Sequence, residues 1–260
     1  MKNIFKIIVA FLSTILLNQT LHAQPGSLDS SFGDGGLVLE NTYNAGDYSI
    51  IMPNNNILVM GQYQGICFDC FNPDGSYNES FGHGGRFSIG LGGKLISSDS
   101  KAFALLADGR IACAGKYFPG GGTDIGIIVC FQDGRLDSSF GVNGFSALHI
   151  DNLNFCTGLV VQPDGKIVIS GDVQKSEYDN HNTFIARYRT DGSLDPDFGD
   201  EGIVLTHYAN ATTTNSLIIR PDGKLVRGST YNIYDAHSAY MLESFNPDGS
   251  IDAGFGDNGT

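Results

Sequence analysis

The chain has 260 residues and a formal net charge of −13, with 41% hydrophobic residues and 35 glycines. This hydrophobic content is normal for a globular protein, and the length is sufficient for a sizeable core. An acidic surface repels phosphate backbones and anionic lipids, so the charge argues against nucleic acid as a partner. The abundant glycine is typical of an all-β chain with many tight turns.

The first 23 residues have the layout of a secretory signal peptide. Lys2 and Lys6 precede an apolar stretch over residues 7–17, and Ala23 provides a small residue at which cleavage can follow. The apolar stretch is too short for an ordinary membrane span, and no later segment is long and apolar enough to be one. We therefore predict a signal peptide over residues 1–23 and an exported domain without a membrane span over residues 24–260. An uncleaved membrane anchor is the alternative.

A sequence motif of eleven residues, which we call the phrase, recurs five times along the remaining chain. Its first copy reads Gly-Ser-Leu-Asp-Ser-Ser-Phe-Gly-Asp-Gly-Gly, and the phenylalanines of successive copies are 49, 59, 58 and 57 residues apart. A fixed period of this length indicates a repeat architecture, because one unit cannot bury its apolar face without its neighbours. The copies span residues 26–36, 75–85, 134–144, 192–202 and 249–259.

Two further patterns keep the same period. One is a pair of apolar runs joined by an Asp-Gly or Asn-Asn turn, which indicates a β-hairpin, and the other is an apolar run that ends in a second turn. Val, Ile, Phe and Tyr dominate these runs, as is typical of half-buried strands. Each unit thus contains four short strands, predicted in the third unit at residues 145–150, 157–162, 166–171 and 183–189.

A four-stranded antiparallel meander repeated about every 57 residues is the pattern of a β-propeller blade. We predict an all-β propeller with about four repeats, in units over residues 37–85, 86–144, 145–202 and 203–259, and an all-β solenoid is the alternative. The fifth phrase leads us to expect a further blade after Thr260, so that the four units form an incomplete ring. The fourth unit departs from the pattern at Arg227-Gly228-Ser229, where an apolar residue and glycine are usual.

These phrases resemble the delta-60 repeat family over residues 26–259. The resemblance rests on Pro-Asp-Gly-Lys-Ile-Val at residues 163–168, Ile-Ala-Arg-Tyr at residues 185–188, and the phrase Asp-Gly-Ser-Leu-Asp-Pro-Asp-Phe-Gly at residues 191–199. It implies a β-propeller in an exported bacterial protein, and it carries over no catalytic residue because that family has no established activity.

Aspartates cluster in the repeated phrase, and carboxylates are common ligands of calcium ions in proteins. None of the five copies has the glycine and glutamate positions of an EF-hand loop, and Asn78 and His83 replace acids in the second copy. We predict turns in which aspartate side chains accept backbone amides while the phrase phenylalanine fills the space between blades. Calcium held partly by backbone oxygens is the alternative; we predict no metal site and no cofactor.

Five cysteines occur in the predicted exported domain, and we expect buried structural thiols. Cys67 and Cys70 are three residues apart in a strand-like run, where they point to opposite faces, and no second pair completes a zinc site. A disulfide between units is the alternative. The cysteines are Cys67, Cys70, Cys113, Cys130 and Cys156.

Three polar loops occupy the same place in successive units and are expected to line one rim of the propeller. Rim loops are where propellers carry binding sites, and aromatic and amide groups together suit sugar hydroxyls and apolar sugar faces. The absence of tryptophan weakens this interpretation, and ordinary loop composition is the alternative. The candidate binding residues are Tyr117, Tyr178, His181, Tyr231, Tyr234 and His237.

No nucleophile elbow, phosphate-binding loop or dinucleotide fingerprint occurs in the sequence. We therefore expect no catalytic residue and predict a non-catalytic binding or scaffold module at the cell surface or outside the cell, with the periplasm as a further location. Its expected partner is a glycan or a surface protein. The alternatives are a secreted propeller enzyme acting on glycans and a purely structural spacer.

Overall fold

The computed structural model describes residues 26–39, 45–62, 66–88, 96–120, 122–174, 182–207, 212–233 and 237–260. These residues fall into two compact units, one within residues 1–40 and one within residues 41–260. In the first unit, the phrase forms a tight turn in which the Phe32 amide donates to the Asp29 carbonyl and the Gly36 amide donates to the Phe32 carbonyl. The described residues contain no helix that is long and apolar enough to span a membrane.

The second unit consists of four antiparallel sheets, which confirms the predicted all-β propeller architecture. Each sheet is a meander in chain order, and we call the sheets blades 1 to 4.

Blade 1 contains β1 (Ala45–Ile51), β2 (Ile57–Gln62), β3 (Ile66–Phe71) and β4 (Arg86–Ser88). Blade 2 contains β5 (Ile96–Leu105), β6 (Ile111–Tyr117), β7 (Asp124–Cys130) and β8 (Phe145–Leu148). Blade 3 contains β9 (Leu153–Val161), β10 (Ile167–Gln174), β11 (Asn182–Tyr188) and β12 (Ile203–Thr206). Blade 4 contains β13 (Thr212–Ile219), β14 (Leu225–Ile233) and β15 (His237–Phe245).

The blades combine the predicted strands in a different way from the sequence units. We predicted residues 145–150 as the first strand of the third unit, but β8 pairs with β7 of the preceding blade, with Ile125 opposite Leu148. The phrase explains this pairing, because it folds the chain back on the strand it has just left: the Val129 amide donates to the Gly144 carbonyl. The fifth phrase makes the equivalent bond from Ser244 to Gly259, so it belongs to blade 4 and not to a following blade.

The phrase phenylalanine fills the space between neighbouring blades, as predicted. Phe81 lies in the core between blades 1 and 2, Phe140 in the core between blades 2 and 3, and Phe198 in the core between blades 3 and 4. All three are fully buried, whereas Phe255 of the fifth phrase is half-buried. Each buried phenylalanine removes a large apolar surface from water, which makes the phrase a major source of inter-blade stability.

The glycine after each buried phenylalanine also joins the blades. Its amide donates to the carbonyl of an Asp-Gly turn in the next blade: Gly141 bonds to Asp191, with an N–O distance of 2.7 Å. Gly141 has a φ of 54°, and a Cβ at this position would lie 2.1 Å from the Phe145 carbonyl oxygen. Only glycine allows this backbone conformation and close approach together. The same bond joins Gly82 to Asp133 and Gly199 to Asp248.

The sheets approach each other most closely at their first strands. The main contacts between different blades are those of β5 with β9 and of β9 with β13. The sheets therefore converge at β5, β9 and β13. Because consecutive connections in a meander lie at opposite ends of the sheet, the turns that follow these first strands come together at one end.

Candidate functional site

In the sequence, the predicted rim residues lie at the ends of, or between, the second and third strands of blades 2, 3 and 4. Tyr117 ends β6, and its ring packs against Phe145 with a centroid distance of 5.0 Å, so only 7% of the residue is exposed. The structure thus places Tyr117 in the core of its blade. Tyr231 and His237 are described only as backbone in β14 and β15, and Tyr178, His181 and Tyr234 lie outside the described residues.

Aspartates of the repeated phrase accept backbone amides, as we predicted: Asp29, Asp137 and Asp195 each accept the amide two residues later. The Asp-Gly turns that precede the phrase have the same bonds. Asp191 Oδ1, for example, accepts hydrogen bonds from the Ser193 hydroxyl at 2.6 Å and the Ser193 amide at 2.9 Å. These two bonds stabilise the charged form and lower the pKa of Asp191. Asp29, Asp74 and Asp248 have the same arrangement with the serine two residues later.

Several of these carboxylates also neutralise basic side chains. Asp195 is fully buried and lies 2.9 Å from Lys166 Nζ and 2.8 Å from Arg187 Nε. Burial raises the pKa of Asp195, but the bonds from Lys166 and the Asp197 amide and the charge of Arg187 outweigh it and leave the pKa at about 2. Among the described residues, no cluster of three histidine, cysteine or acidic side chains is arranged to hold a metal ion.

All five cysteines are buried as thiols, which confirms the prediction of structural thiols. Burial raises the pKa of Cys130 and of Cys156 to about 12. Because the thiolate is the reactive form, these side chains are not suited to nucleophilic or redox chemistry at neutral pH.

The interface between blades 3 and 4 contains a buried ion pair and further buried polar groups. Arg227 and Glu243, both fully buried, form a bidentate pair with N–O distances of 2.7 and 2.6 Å. Across the interface, Asp172 Oδ1 accepts the Thr214 amide at 2.9 Å. Arg227 is the residue at which the fourth unit departs from the repeat pattern, so this departure places an ion pair between the blades. Within the described structure, three hydroxyls of this interface have no hydrogen-bond partner: those of Ser170, Thr183 and Ser229.

The Asp172 carboxylate binds a proton more tightly than an ordinary aspartate does. Burial raises its pKa from 3.8 to about 6, although the hydrogen bonds from Thr214 and the charge of Arg227 favour the carboxylate. Above pH 3.8 the unfolded chain is charged at this position while the folded protein keeps the proton, so the free energy of unfolding falls as pH rises. The fall continues until the folded-state pKa of about 6 is passed.

We therefore expect Asp172→Asn to reduce the pH dependence of stability. Between pH 5 and pH 8, the free energy of unfolding of the wild type should lose about 1.4 kcal/mol that the variant retains, since one pKa unit corresponds to about that energy. Asparagine keeps the acceptor for the Thr214 amide and removes the charge. Urea unfolding at the two pH values measures the difference, and an identical pH dependence in both proteins would contradict the assignment.

A cavity of about 490 Å³ lies where the turns after the first strands of blades 2, 3 and 4 come together. We call it the hairpin cavity; its walls are mainly apolar, formed by Leu105, Val161, Pro163, Ile219 and Pro221. Gln162 also lines it, is 8% exposed, and its Oε1 atom has no hydrogen-bond partner within the described structure. A concave, mostly apolar cavity with a few polar groups, here Gln162 and Arg220, is the usual form of a small-molecule site.

The hairpin cavity lies at the end of the sheets opposite the predicted rim. Its turns follow the first strands, whereas the rim loops follow the second strands. Sequence reasoning missed it because Pro163 and Pro221 are ordinary turn residues in their own units. The available signal was Gln162, which takes the place of Met52 in blade 1 and Leu106 in blade 2.

A larger groove of about 620 Å³ runs along the outer part of blades 3 and 4. Its walls include Asp197, Asp200 and Asp248 together with Ile203 and Leu205. The Asp248 carboxylate is engaged by the Ser250 amide and hydroxyl. With its mixed acidic and apolar walls, the groove lacks a buried polar atom comparable to Gln162 Oε1 among its described lining residues.

Comparison with curated proteins gave no significant match to the chain. Among solved structures, the chain is similar to a protein of unknown function from Bacteroides caccae, at 10% identity over 83% of this chain and 68% of that one, with a TM-score of 0.47. It is similar to a protein of unknown function from Dyadobacter fermentans, at 11% identity over 86% and 69%, with a TM-score of 0.47. It is also similar to an endo-arabinase from Bacteroides thetaiotaomicron, at 12% identity over 81% and 79%, with a TM-score of 0.43.

One part of the chain matches a family model. Residues 162–198 match the family described as "Domain of unknown function (DUF5122) beta-propeller". The match begins at Gln162 beside the β9–β10 turn and ends at the buried Phe198, so it includes two strands and most of one phrase of blade 3. The four antiparallel sheets show a β-propeller fold, and this match over part of the chain supports a β-propeller repeat family.

Proposed function

We propose that the protein is an exported, non-catalytic binding or scaffold module of the delta-60 repeat kind, acting at the cell surface or outside the cell. The hairpin cavity is the observation that carries the binding role, because three blades jointly form a concave, mainly apolar surface. A glycan or a surface protein is the proposed partner of the module as a whole.

The described acidic groups support a role without catalysis. The turn aspartates are engaged by backbone amides and by basic side chains, so their negative charges maintain turns and inter-blade contacts. Asp172 does have a raised pKa, which is a property of many general acids, but it is 2% exposed and is bonded to the Thr214 backbone. An acid that acts on a glycan has to reach the glycosidic oxygen, and a side chain enclosed between two blades does not meet that requirement.

Binding and turnover can be tested together on one set of polysaccharides. We expect the purified protein to be retarded by at least one polysaccharide or to capture a surface protein, without releasing reducing ends from any polysaccharide. Affinity electrophoresis and a reducing-sugar assay measure the two properties. Release of reducing ends that is lost on substitution of one carboxylate would contradict the non-catalytic role and favour a secreted glycan-degrading enzyme.

Export is tested separately by the mass of the protein recovered outside the cytoplasm. The proposal predicts that this protein lacks residues 1–23, because a signal peptidase would cleave after Ala23. Recovery of the protein in the cytoplasm with Met1 retained would contradict export.

A further inference from the structure

Blades 2, 3 and 4 each carry an ion pair between the first hairpin and the phrase. The residue after the hairpin turn supplies the cation, and the phrase supplies an aspartate. The three pairs are Arg110 with Asp137, Lys166 with Asp195, and Lys224 with Asp252. The N–O distances are 2.9 Å in blade 3 and 2.8 Å in blade 4. In these blades, bonded charges therefore close the space between the hairpin turn and the phrase.

Blade 1 has asparagine in place of both partners. Asn56 follows the hairpin turn, where the other blades have lysine or arginine, and Asn78 replaces the phrase aspartate. The two side chains do not restore the contact. Asn78 Nδ2 bonds to Cys70 Sγ at 3.7 Å, and the Asn56 side chain has no hydrogen-bond partner among the described residues. The replacement opens a polar space that the ion pairs close in the other three blades.

This space is a pocket of about 190 Å³, which we call the amide pocket. Four side-chain amides line it, those of Asn54, Asn56, Asn78 and Gln132. Asn56 is the most buried of the four, with 8% of the residue exposed. Unlike Gln162 Oε1, its polar atoms are not among the fully enclosed atoms without a partner, so a molecule in the pocket can reach them. A largely buried amide that makes no bond within the described structure calls for an explanation, such as a bound ligand.

The charges at the amide pocket favour a neutral, hydroxylated ligand. Asp133 is the one charged residue of the lining, and Arg135 Nε lies 2.7 Å from Asp133 Oδ2. The carboxylate disfavours an anion, and because Arg135 already balances it, a cation gains little. The amides offer donors and acceptors side by side, and a hydroxyl group can use both, since it donates one hydrogen bond and accepts others.

We propose that the amide pocket binds one sugar ring of a glycan, whose hydroxyls form hydrogen bonds with the side-chain amide of Asn56. This inference rests on the proposed binding function and specifies where its glycan partner binds, at a site that shares no lining residue with the hairpin cavity. The volume lies below the range of about 300–1,000 Å³ for drug-sized ligands, so it suits a single ring. Asn54 and Gln132 are exposed, which leaves the pocket open for the rest of the glycan to extend into solvent.

The test uses the methyl glycosides of glucose, galactose and mannose as probes. We expect the wild-type protein to bind at least one of them with a Kd of about 1 mM, because a ligand of this size makes few contacts. The double variant Asn56→Lys with Asn78→Asp introduces the ion pair of blades 3 and 4 and should weaken that binding about tenfold or more. Isothermal titration calorimetry measures the affinities. The double variant should unfold at a temperature no lower than the wild type, since three blades already carry this pair.

A control variant separates the amide pocket from other surface. Leu242 is 51% exposed on β15 and does not line the pocket, so Leu242→Ser should leave the glycoside affinity unchanged. Binding of the glycoside to a folded double variant as tightly as to the wild type would overturn the proposal. Binding of none of the three glycosides to the wild type would also overturn it and would leave only water in the pocket. If polysaccharides still retard the protein in either case, the proposed function stands and only the site assigned to the sugar ring fails.

Discussion

Replacement of Arg227 by methionine is expected to destabilise the protein by about 3–5 kcal/mol, because it removes the guanidinium that balances the charge of the buried Glu243 carboxylate. Both side chains are fully buried, and two hydrogen bonds at 2.7 and 2.6 Å join them. Arg227 also donates to the Thr206 hydroxyl at 3.3 Å, which connects blade 4 to the outer strand of blade 3. Urea unfolding of the variant and the wild type at neutral pH measures the loss.

Two companion variants identify the cause of that loss. The double variant Arg227→Met with Glu243→Leu removes the uncompensated charge and should recover most of the stability, since apolar replacement of a buried ion pair is often close to neutral. Arg135→Met breaks the exposed pair with Asp133 and should cost no more than about 1 kcal/mol. A double variant as unstable as Arg227→Met would show that the loss of stability comes from the packing of the arginine and not from the unbalanced charge of Glu243.

Phe198→Ala is expected to cost about 3–5 kcal/mol, the usual range for deletion of a buried aromatic side chain. Phe198 is fully buried in the core between blades 3 and 4, and the Arg187 guanidinium lies over its ring at 4.6 Å. Truncation leaves a cavity at an interface and removes the aromatic face from a largely buried cation.

The repeat provides a matched control for this variant. Phe255 occupies the same position in the fifth phrase but is only half-buried, so Phe255→Ala should cost about 1 kcal/mol or less. Thermal or urea unfolding compares the two proteins. Equal losses would contradict the view that the phrase phenylalanine stabilises the protein by filling the space between two blades.

Much of the fold could be predicted because the determinants are local. Residues 163–165 read Pro-Asp-Gly between two apolar runs, and they do connect β9 and β10. The predicted strand over residues 183–189 corresponds to Asn182–Tyr188, with a difference of one residue at each end. Turn residues and apolar alternation are specified within a few residues of the chain, so one sequence is enough to find them.

The blade that the fourth strand joins could not be predicted, because the local sequence does not specify it. Phe145–Leu148 is only four residues long and follows a turn of undetermined geometry, so the sequence alone allows it to join either blade. The hydrogen bond from the Val129 amide to the Gly144 carbonyl holds this strand in blade 2, and this bond forms only in the folded turn.

The candidate site depends on contacts between residues far apart in the chain. Leu105, Gln162 and Ile219 come from three different units and meet only because the first strands of the blades converge. Asp172 and Thr214 are likewise 42 residues apart, and their hydrogen bond gives Asp172 a buried position that its local sequence does not reveal. The polar loops that are easy to recognise in the sequence drew attention instead to the predicted rim residues, of which Tyr117 is buried.

A crystal structure of the purified protein tests the central claim, that the repeated phrase joins neighbouring blades, most directly. The account predicts Phe81, Phe140 and Phe198 buried between neighbouring blades, with the Gly141 amide within hydrogen-bond distance of the Asp191 carbonyl. Phrase phenylalanines exposed to solvent at the edges of the sheets, or glycine amides that bond within their own blade, would contradict it.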